Sequence, residues 1–327
     1  MIRLNKLSVR DPAVGNIEGA TLLVPEGWRL EGGFQWMPLF SMQVTFLARV
    51  LDPASGGQVT WAPAQQFNWP MQDLGLPLQP GSNWNGSVLL PPPRDPVEFC
   101  MNILVPHTHP QLRGARVVKV EDLPKFAAEM ARQGPAQNVV RCARIRFAYG
   151  EWEEDVYTIL TFAPMNGWQA MWWCGGYSLR ARAGELDRMT PILSVPVHSL
   201  SFTPDWNASL EFVRKLNSEG RRLDQIATQE LNQSMQRYRE ESRAQQQQIW
   251  EERQSQQARQ NFALRETIGG IDTWRDPFEG RTVELPHGYG AVWASRDGSY
   301  VLSADPSYDP RPGSAQEFRR VEQRLDR

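Results

Sequence analysis

The sequence predicts an α+β fold: an antiparallel sheet sandwiched by helices, followed by a long α-helical arm and a small C-terminal β-hairpin. Three observations predict it. Strand-like runs rich in β-branched and aromatic residues recur through the first two hundred positions, separated by Pro- and Gly-containing turns. Between Pro204 and Pro277 no proline interrupts a polar, Gln-rich run with helical spacing. After that run, Asp276 to Pro310 switches to turns and aromatics. The chain therefore divides into residues 1–203, a sandwich domain, 204–268, a helical arm, and 269–327, a hairpin segment with a polar tail.

The totals set the bounds. A chain of 327 residues, 41% hydrophobic with 13 Trp and 13 Phe, is long and apolar enough to bury a sizeable core. With 35 basic and 37 acidic residues the net charge is −2, which gives no global attraction to nucleic acid or anionic lipid. Neither nucleic acid nor membrane is expected as a partner. Cys100, Cys142 and Cys174 lie too far apart for a paired-cysteine metal site and read as buried or free thiols. "MIRLNKLSVRDPAVG" has no apolar signal region, and nowhere do 18 apolar residues run together, so a cytoplasmic protein is the expectation.

In chain order, Ile17 to Val24 reads as a strand that ends in the turn "PEGW". Met42 to Leu51 and Gln58 to Trp61 form a hairpin, because Pro53 presets φ and Gly56-Gly57 tolerates positive φ in the connection. Pro70 to Pro96 is too rich in Pro for a central strand and reads as an irregular excursion. Helices are predicted over Asp95 to Val105, with Pro96 in the first turn, and over Glu121 to Arg132, closed by Gly134-Pro135. Strands follow at Val139 to Tyr149, Glu154 to Ala163 and Trp168 to Arg182. The first puts Val140, Cys142, Ile145 and Phe147 on one face only with a slip near Ala143. A helix at Glu185 to Val195 and a strand in "HSLSF" complete the sandwich. Thr203, Pro204 and Asp205 then supply a cap, a first-turn proline and a favourable charge for the arm.

As one continuous helix, Pro204 to Ile268 would span roughly 95 Å. Gly220 is the expected break and Gly269-Gly270 the stop. Its apolar stripe is dense from Leu210 to Ala227 and thins through Met235, Tyr238 and Trp250. Three readings stay open: a helical hairpin or arm packed within the chain, self-association, or a solvated single helix.

"TLLVPEGW", the central antiparallel strands and "LRARAGELDRMTPILSVPVHSLSF" resemble the Mog1/PsbP/DcrB-like α/β sandwich over about residues 15–203. "VPEGWRLEGGFQW", "DPFEGRTVELPHGYGAVW" and "GSYVLSADPSYDP" are similar to a group of bacterial proteins that joins this sandwich to a long helix and a C-terminal hairpin. The resemblance implies architecture, a bacterial origin and an accessory or binding role by analogy, with no activity attached.

Chemistry-bearing motifs are sparse. There is no Walker loop, GxGxxG, GxSxG or HExxH, and no cofactor is expected. His107 and His109, flanked by prolines, read as loop polarity in preference to metal ligands. Asp297, Asp305 and Asp309 read as turn formers in preference to Ca²⁺ ligands. The aromatics carry the best binding candidates: Trp28, Trp36, Trp168, Trp172, Trp173 and Tyr177, with Trp172 and Trp173 on opposite strand faces. Trp61, Trp69 and Trp84 add to the same N-terminal concentration. Trp274, Tyr289, Trp293 and Tyr300 mark a docking hairpin, which needs another surface because an isolated hairpin is marginal in water. The expected function is a non-catalytic binding or assembly protein, with a protein partner or self-association. The alternative is a small-molecule sensor or enzyme using a Trp-lined cleft, helped by Asp155, Arg180 or Arg182. A nucleic-acid role for Arg141, Arg144 and Arg146 is the weakest reading.

Overall fold

The structure, a computed structural model, describes residues 1–37, 43–72, 79–84, 87–164, 167–218, 233–240, 271–312, 314 and 316–323. Its strands are β1 (Ile2–Asp11), β2 (Ile17–Pro25), β3 (Arg29–Trp36), β4 (Val44–Leu51), β5 (Gln58–Pro70), β6 (Asn83–Trp84), β7 (Ser87–Leu89), β8 (Arg116–Asp122), β9 (Val139–Tyr149), β10 (Trp152–Phe162), β11 (Gln169–Arg182) and β12 (Ser201–Phe202). The C-terminal part adds β13 (Ile271–Arg275), β14 (Thr282–Pro286), β15 (Ala291–Ser295), β16 (Tyr300–Ser303), β17 (Phe318–Arg320) and β18 (Glu322–Gln323). Helices are α1 (Pro96–Phe99), continued through a π-helical stretch (Cys100–Leu104) into α2 (Val105–Thr108), then α3 (Pro124–Gln133), α4 (Leu186–Ser199) and α5 (Pro204–Ser218). This is an α+β fold dominated by antiparallel pairing.

The largest sheet runs β3-β4-β5-β11-β10-β9-β8, with β6 and β7 attached beside β5. Both of its faces are buried. Tyr157, Tyr177, Trp61 and Cys142 look into one cluster with Leu22 and Val24 of β2 and Phe126 of α3. Ile145, Phe147, Leu160 and Trp172 look into another under Phe99, Leu104 and Leu112. The expected slip near Ala143 does not occur: β9 pairs with β10 in unbroken register, and Cys142 and Ile145 serve opposite faces. The one irregularity there lies in β8, between Val117 and Lys119.

The hairpin segment adds to the N-terminus of the same chain. Ile2, Arg3 and Leu4 pair with Leu302, Val301 and Tyr300, giving a sheet ordered β12-β2-β1-β16-β15-β17. Leu4, Leu23, Tyr300 and Leu302 then close a core with Val195 of α4 and with Trp274 and Leu285 from the small sheet β14-β13-β18. Asp276 organises the turn before it. Its carboxylate accepts the amides of Phe278 (2.7 Å) and Glu279 (2.9 Å) and the Tyr300 hydroxyl.

Several expectations are corrected. β1 and β3 were not foreseen; β1 is buried on both faces, Leu4 on one and Val9 on the other, which blurs a period-two pattern. The second helix begins at Pro124, not Glu121, because Arg116–Asp122 is used as an edge strand and proline takes the first helical position. In "HSLSF", His198 and Ser199 end α4, and Ser201-Phe202 alone form a two-residue strand. The polar tail holds two short strands, with Arg320 beside Trp293. Most of the predicted arm, including Gly220 and Gly269-Gly270, lies outside the described residues. Residues 233–240 are helical and pack back on α5: the Phe212 and Tyr238 rings are 5.5 Å apart, and Met235 is buried with Val213 and Leu216. One continuous helix would separate residues 212 and 238 by roughly 39 Å, so the described pieces pack within the chain and do not fit a solvated single helix.

Candidate functional site

The cleft begins with a proline. "TWAPAQQ" places Pro63 inside β5, where the missing N–H cannot serve a ladder. The β4–β5 pairing accordingly covers only Arg49–Leu51 against Gln58–Thr60, although both strands run on. Beyond that point Ala64 N–H donates to the Thr45 hydroxyl (2.9 Å), a side chain standing where a ladder would run. On the other flank of β5, β11 shifts register between Cys174 and Gly176. A Cβ at Gly176 would collide with the Tyr157 carbonyl, so only glycine fits. A Cβ at Gly175 would meet nothing within 4 Å, so its backbone faces open space.

The result is a cleft of about 610 Å³ between the splayed strands and α5, inside the roughly 300–1,000 Å³ range of small-molecule sites. Gly175, Gly176, Ala62 and Ala64 leave its floor almost bare, and Phe34, Phe46, Trp61, Trp173, Phe202 and Trp206 form its walls. Trp206 packs near-parallel to both Phe34 (4.6 Å, 30°) and Phe202 (5.1 Å, 24°), which themselves lie 6.1 Å apart, while Phe46 meets Trp61 edge-on (5.5 Å, 81°). These are the favourable offset and T-shaped geometries for aromatic pairs.

A buried carboxylate fixes one wall. Asp11, wholly inaccessible, accepts the indole N–H of Trp36 (2.9 Å) and of Trp206 (2.7 Å) at Oδ2 and the Ala13 amide (3.0 Å) at Oδ1. The end of β1 thus ties β3 to the first turn of α5. Among the described residues lining the cleft, none carries a carboxylate, imidazole or thiol, and Arg214 is the one charged side chain. Its guanidinium pairs with Glu211 at 2.7 Å. Gln43, 8% exposed, borders the cleft with a buried Oε1 that has no hydrogen-bond partner among the described residues.

Of the aromatic candidates, Trp173 lines this cleft, its indole N–H donating to Gln66 Oε1 (3.2 Å). Trp172 faces the other side of the sheet, fully buried and stacked on Phe67 at 4.2 Å. Tyr177 is buried against Tyr157, Trp28 packs half-buried on the same core, and Trp36 is engaged by Asp11. Trp168 lies at the surface, 69% exposed. The structure therefore does not bring these six onto one surface, because alternate strand positions point to opposite faces. Trp61 belongs to the cleft. Phe34, Phe46, Phe202, Trp206 and the glycine floor were missed; Pro63 within a strand-like run and Gly175-Gly176 after "MWWC" were the available signals. In the hairpin segment Trp274 and Tyr300 are core, Tyr289 packs half-buried beside them, and Trp293 is buried in a separate cluster with Val301 and Phe318, donating to the Tyr308 carbonyl (2.9 Å).

The remaining polar groups are internal. His109 Nε2 sits 3.1 Å from the Ser178 hydroxyl and 3.6 Å from Glu154 Oε1, and its Nδ1 contacts Thr108 Oγ1 at 2.6 Å. Burial lowers the His109 pKa, against the opposing pull of Glu154. This constellation resembles a hydrolase triad in composition, yet His109, Glu154 and Ser178 are each about 1% exposed, and no substrate reaches them. Arg146 is bidentate on buried Asp155 (2.7 and 2.9 Å) and Arg144 pairs with Glu121, so neither arginine nor Asp155 is available to the cleft or to a phosphate. Arg180 packs over Trp152 (4.9 Å). Burial raises the thiols of Cys100 to about 11 and of Cys142 and Cys174 to about 12. No group of three or more metal-ligating side chains occurs among the described residues.

No family model matches the chain, and no curated protein matches it. Among solved structures, LpqN, involved in cell envelope biogenesis of Mycobacterium tuberculosis, is similar over 62% of this chain and 92% of that chain, at 11% identity and a TM-score of 0.25. At that score the likeness carries no argument about fold or activity. No helix among the described residues is long and apolar enough to cross a membrane.

Proposed function

We propose that the protein is a non-catalytic binding protein that takes a small, largely apolar molecule in the cleft between the β4–β5 splay and α5. One observation carries this reading: a cleft of about 610 Å³ whose walls are aromatic, whose floor lacks side chains, and whose described lining offers no carboxylate, imidazole or thiol. Apolar walls provide burial without chemistry, and a cleft framed by sheet strands is held in shape by the ladders around it. The docking part of the reading is intramolecular, supported by the pairing of β16 with β1. A Mog1/PsbP/DcrB-like origin for residues 1–203 belongs to the same proposal. It is supported by the strand that ends at Pro25-Glu26-Gly27-Trp28 and by α4 leading into Ser201-Phe202.

The test is a ligand-observed NMR screen of small ring compounds against the full chain and against Gly175→Leu, which fills the open floor. Hits that lose saturation transfer with the variant support the reading. Hits that bind both proteins equally place binding elsewhere and overturn it.

A further inference from the structure

Resting on that reading of the cleft, we infer that its ligand class is a planar fused ring without an anionic group, carrying one polar N–H. Three features of the lining specify this. The first is shape. Gly175 and Gly176 give β11 a stretch without side chains, and Ala62 and Ala64 do nearly the same for β5. A flat body can lie against that backbone, where a branched or bulky one would be held off by Trp61 and Trp173. Phe34 and Trp206 continue the walls as near-parallel rings and Phe46 stands edge-on to Trp61, so a planar ring meets both faces and edges.

The second feature is charge. The single charged side chain among the described lining residues, Arg214, is already paired with Glu211 and 57% exposed at its side chain. An anion entering the aromatic space would leave water without a counter-ion, which excludes carboxylates and phosphates from the interior. The third is an acceptor lacking a donor. Gln43 Oε1 is buried and unpartnered among the described residues, a state natural proteins rarely tolerate. Turning the carboxamide toward the cleft presents Oε1 to a bound N–H, so a ligand with that donor satisfies a group the unliganded fold leaves unsatisfied. A ring without the donor gains only the apolar contacts.

The experiment is calorimetric titration of the full chain with indole and with 1-methylindole, which share the ring and differ in the N–H. It is repeated on Gln43→Leu and Gly175→Leu. Wild type is expected to bind indole about five- to tenfold more tightly than 1-methylindole, the fold-change of one net hydrogen bond. Gln43→Leu should erase the preference, and Gly175→Leu should abolish both titrations. If Gly175→Leu does not fold, Leu210→Trp fills the cleft from α5. If both rings bind wild type equally and the plug abolishes both, the N–H inference fails while the binding site stands. If neither ring binds, or the plugged variants bind as wild type does, the site and the inference fail together.

Discussion

Truncating Tyr300 tests whether the C-terminal hairpin is a structural part of its own chain. Tyr300 is inaccessible, lies directly opposite Leu4 across the β1–β16 ladder, and gives its hydroxyl proton to the buried Asp276 carboxylate. Tyr300→Ala removes a buried ring, about 3–5 kcal/mol by analogy with other aromatic truncations. It also leaves Asp276 short of a donor, about 1–3 kcal/mol more. Leu4→Ala, also at an inaccessible position, should cost about 2–5 kcal/mol. Because the two side chains touch, the double variant should fall short of the sum by about 0.5–3 kcal/mol. Urea unfolding followed by circular dichroism measures all four corners of the cycle, at two protein concentrations tenfold apart. Additive effects would refute the cross-strand contact. A midpoint that rises with protein concentration would show that the hairpin docks on a second chain, since only association makes stability concentration-dependent.

Acid should weaken the fold through His109. Its folded pKa is held below the ordinary imidazole value by burial, so the unfolded chain takes up the proton first. The stabilising contribution is then complete above about pH 6.5 and is lost as pH falls below it. His109→Gln should flatten that part of a stability-against-pH curve, and an unchanged slope would exclude His109 as its source. The three cysteines should resist iodoacetamide at pH 8 in the native protein and react on unfolding, because burial raises their pKa values to about 11 and 12; native labelling counted by mass spectrometry would contradict this. Trp206→Phe keeps a ring against Phe34 but withdraws an N–H from Asp11. It should cost about 1–3 kcal/mol in a urea titration, and a change below about 0.5 kcal/mol would deny Asp11 its anchoring role. Gly176→Ala should destabilise by about 1–3 kcal/mol through the clash with the Tyr157 carbonyl, whereas an unchanged midpoint would mean that β11 shifts freely there.

Much of the architecture was legible in local sequence, because turns, caps and strand alternation are short-range physics. Asp95 and Pro96 start α1, and its carboxylate accepts the Glu98 amide as a cap should. Arg296 to Ser299 closes the β15–β16 turn, with Gly298 at φ 82° and Asp297 accepting the Ser299 amide. Val139 to Tyr149 and the two strands after it fell where alternation placed them, give or take two residues. What failed was whatever depends on a distant partner. β1 looks unremarkable alone, since its apolar residues serve two cores built by residues up to three hundred positions away. Residues 204–268 left a packed hairpin or arm, self-association and a solvated helix all open, because nothing local reports that Tyr238 packs on Phe212. The cleft is the clearest case. Pro63 and Gly175-Gly176 show locally that β5 and β11 are irregular, but that Phe34, Phe202 and Trp206 wall the same opening follows only from the fold bringing β3, β12 and α5 together. Sequence by itself determined the local conformations and the neutral charge balance. The tertiary structure alone decided which aromatic side chains are core and which enclose space, because a strand alternates its faces by geometry while burial of each face depends on what the rest of the chain lays against it.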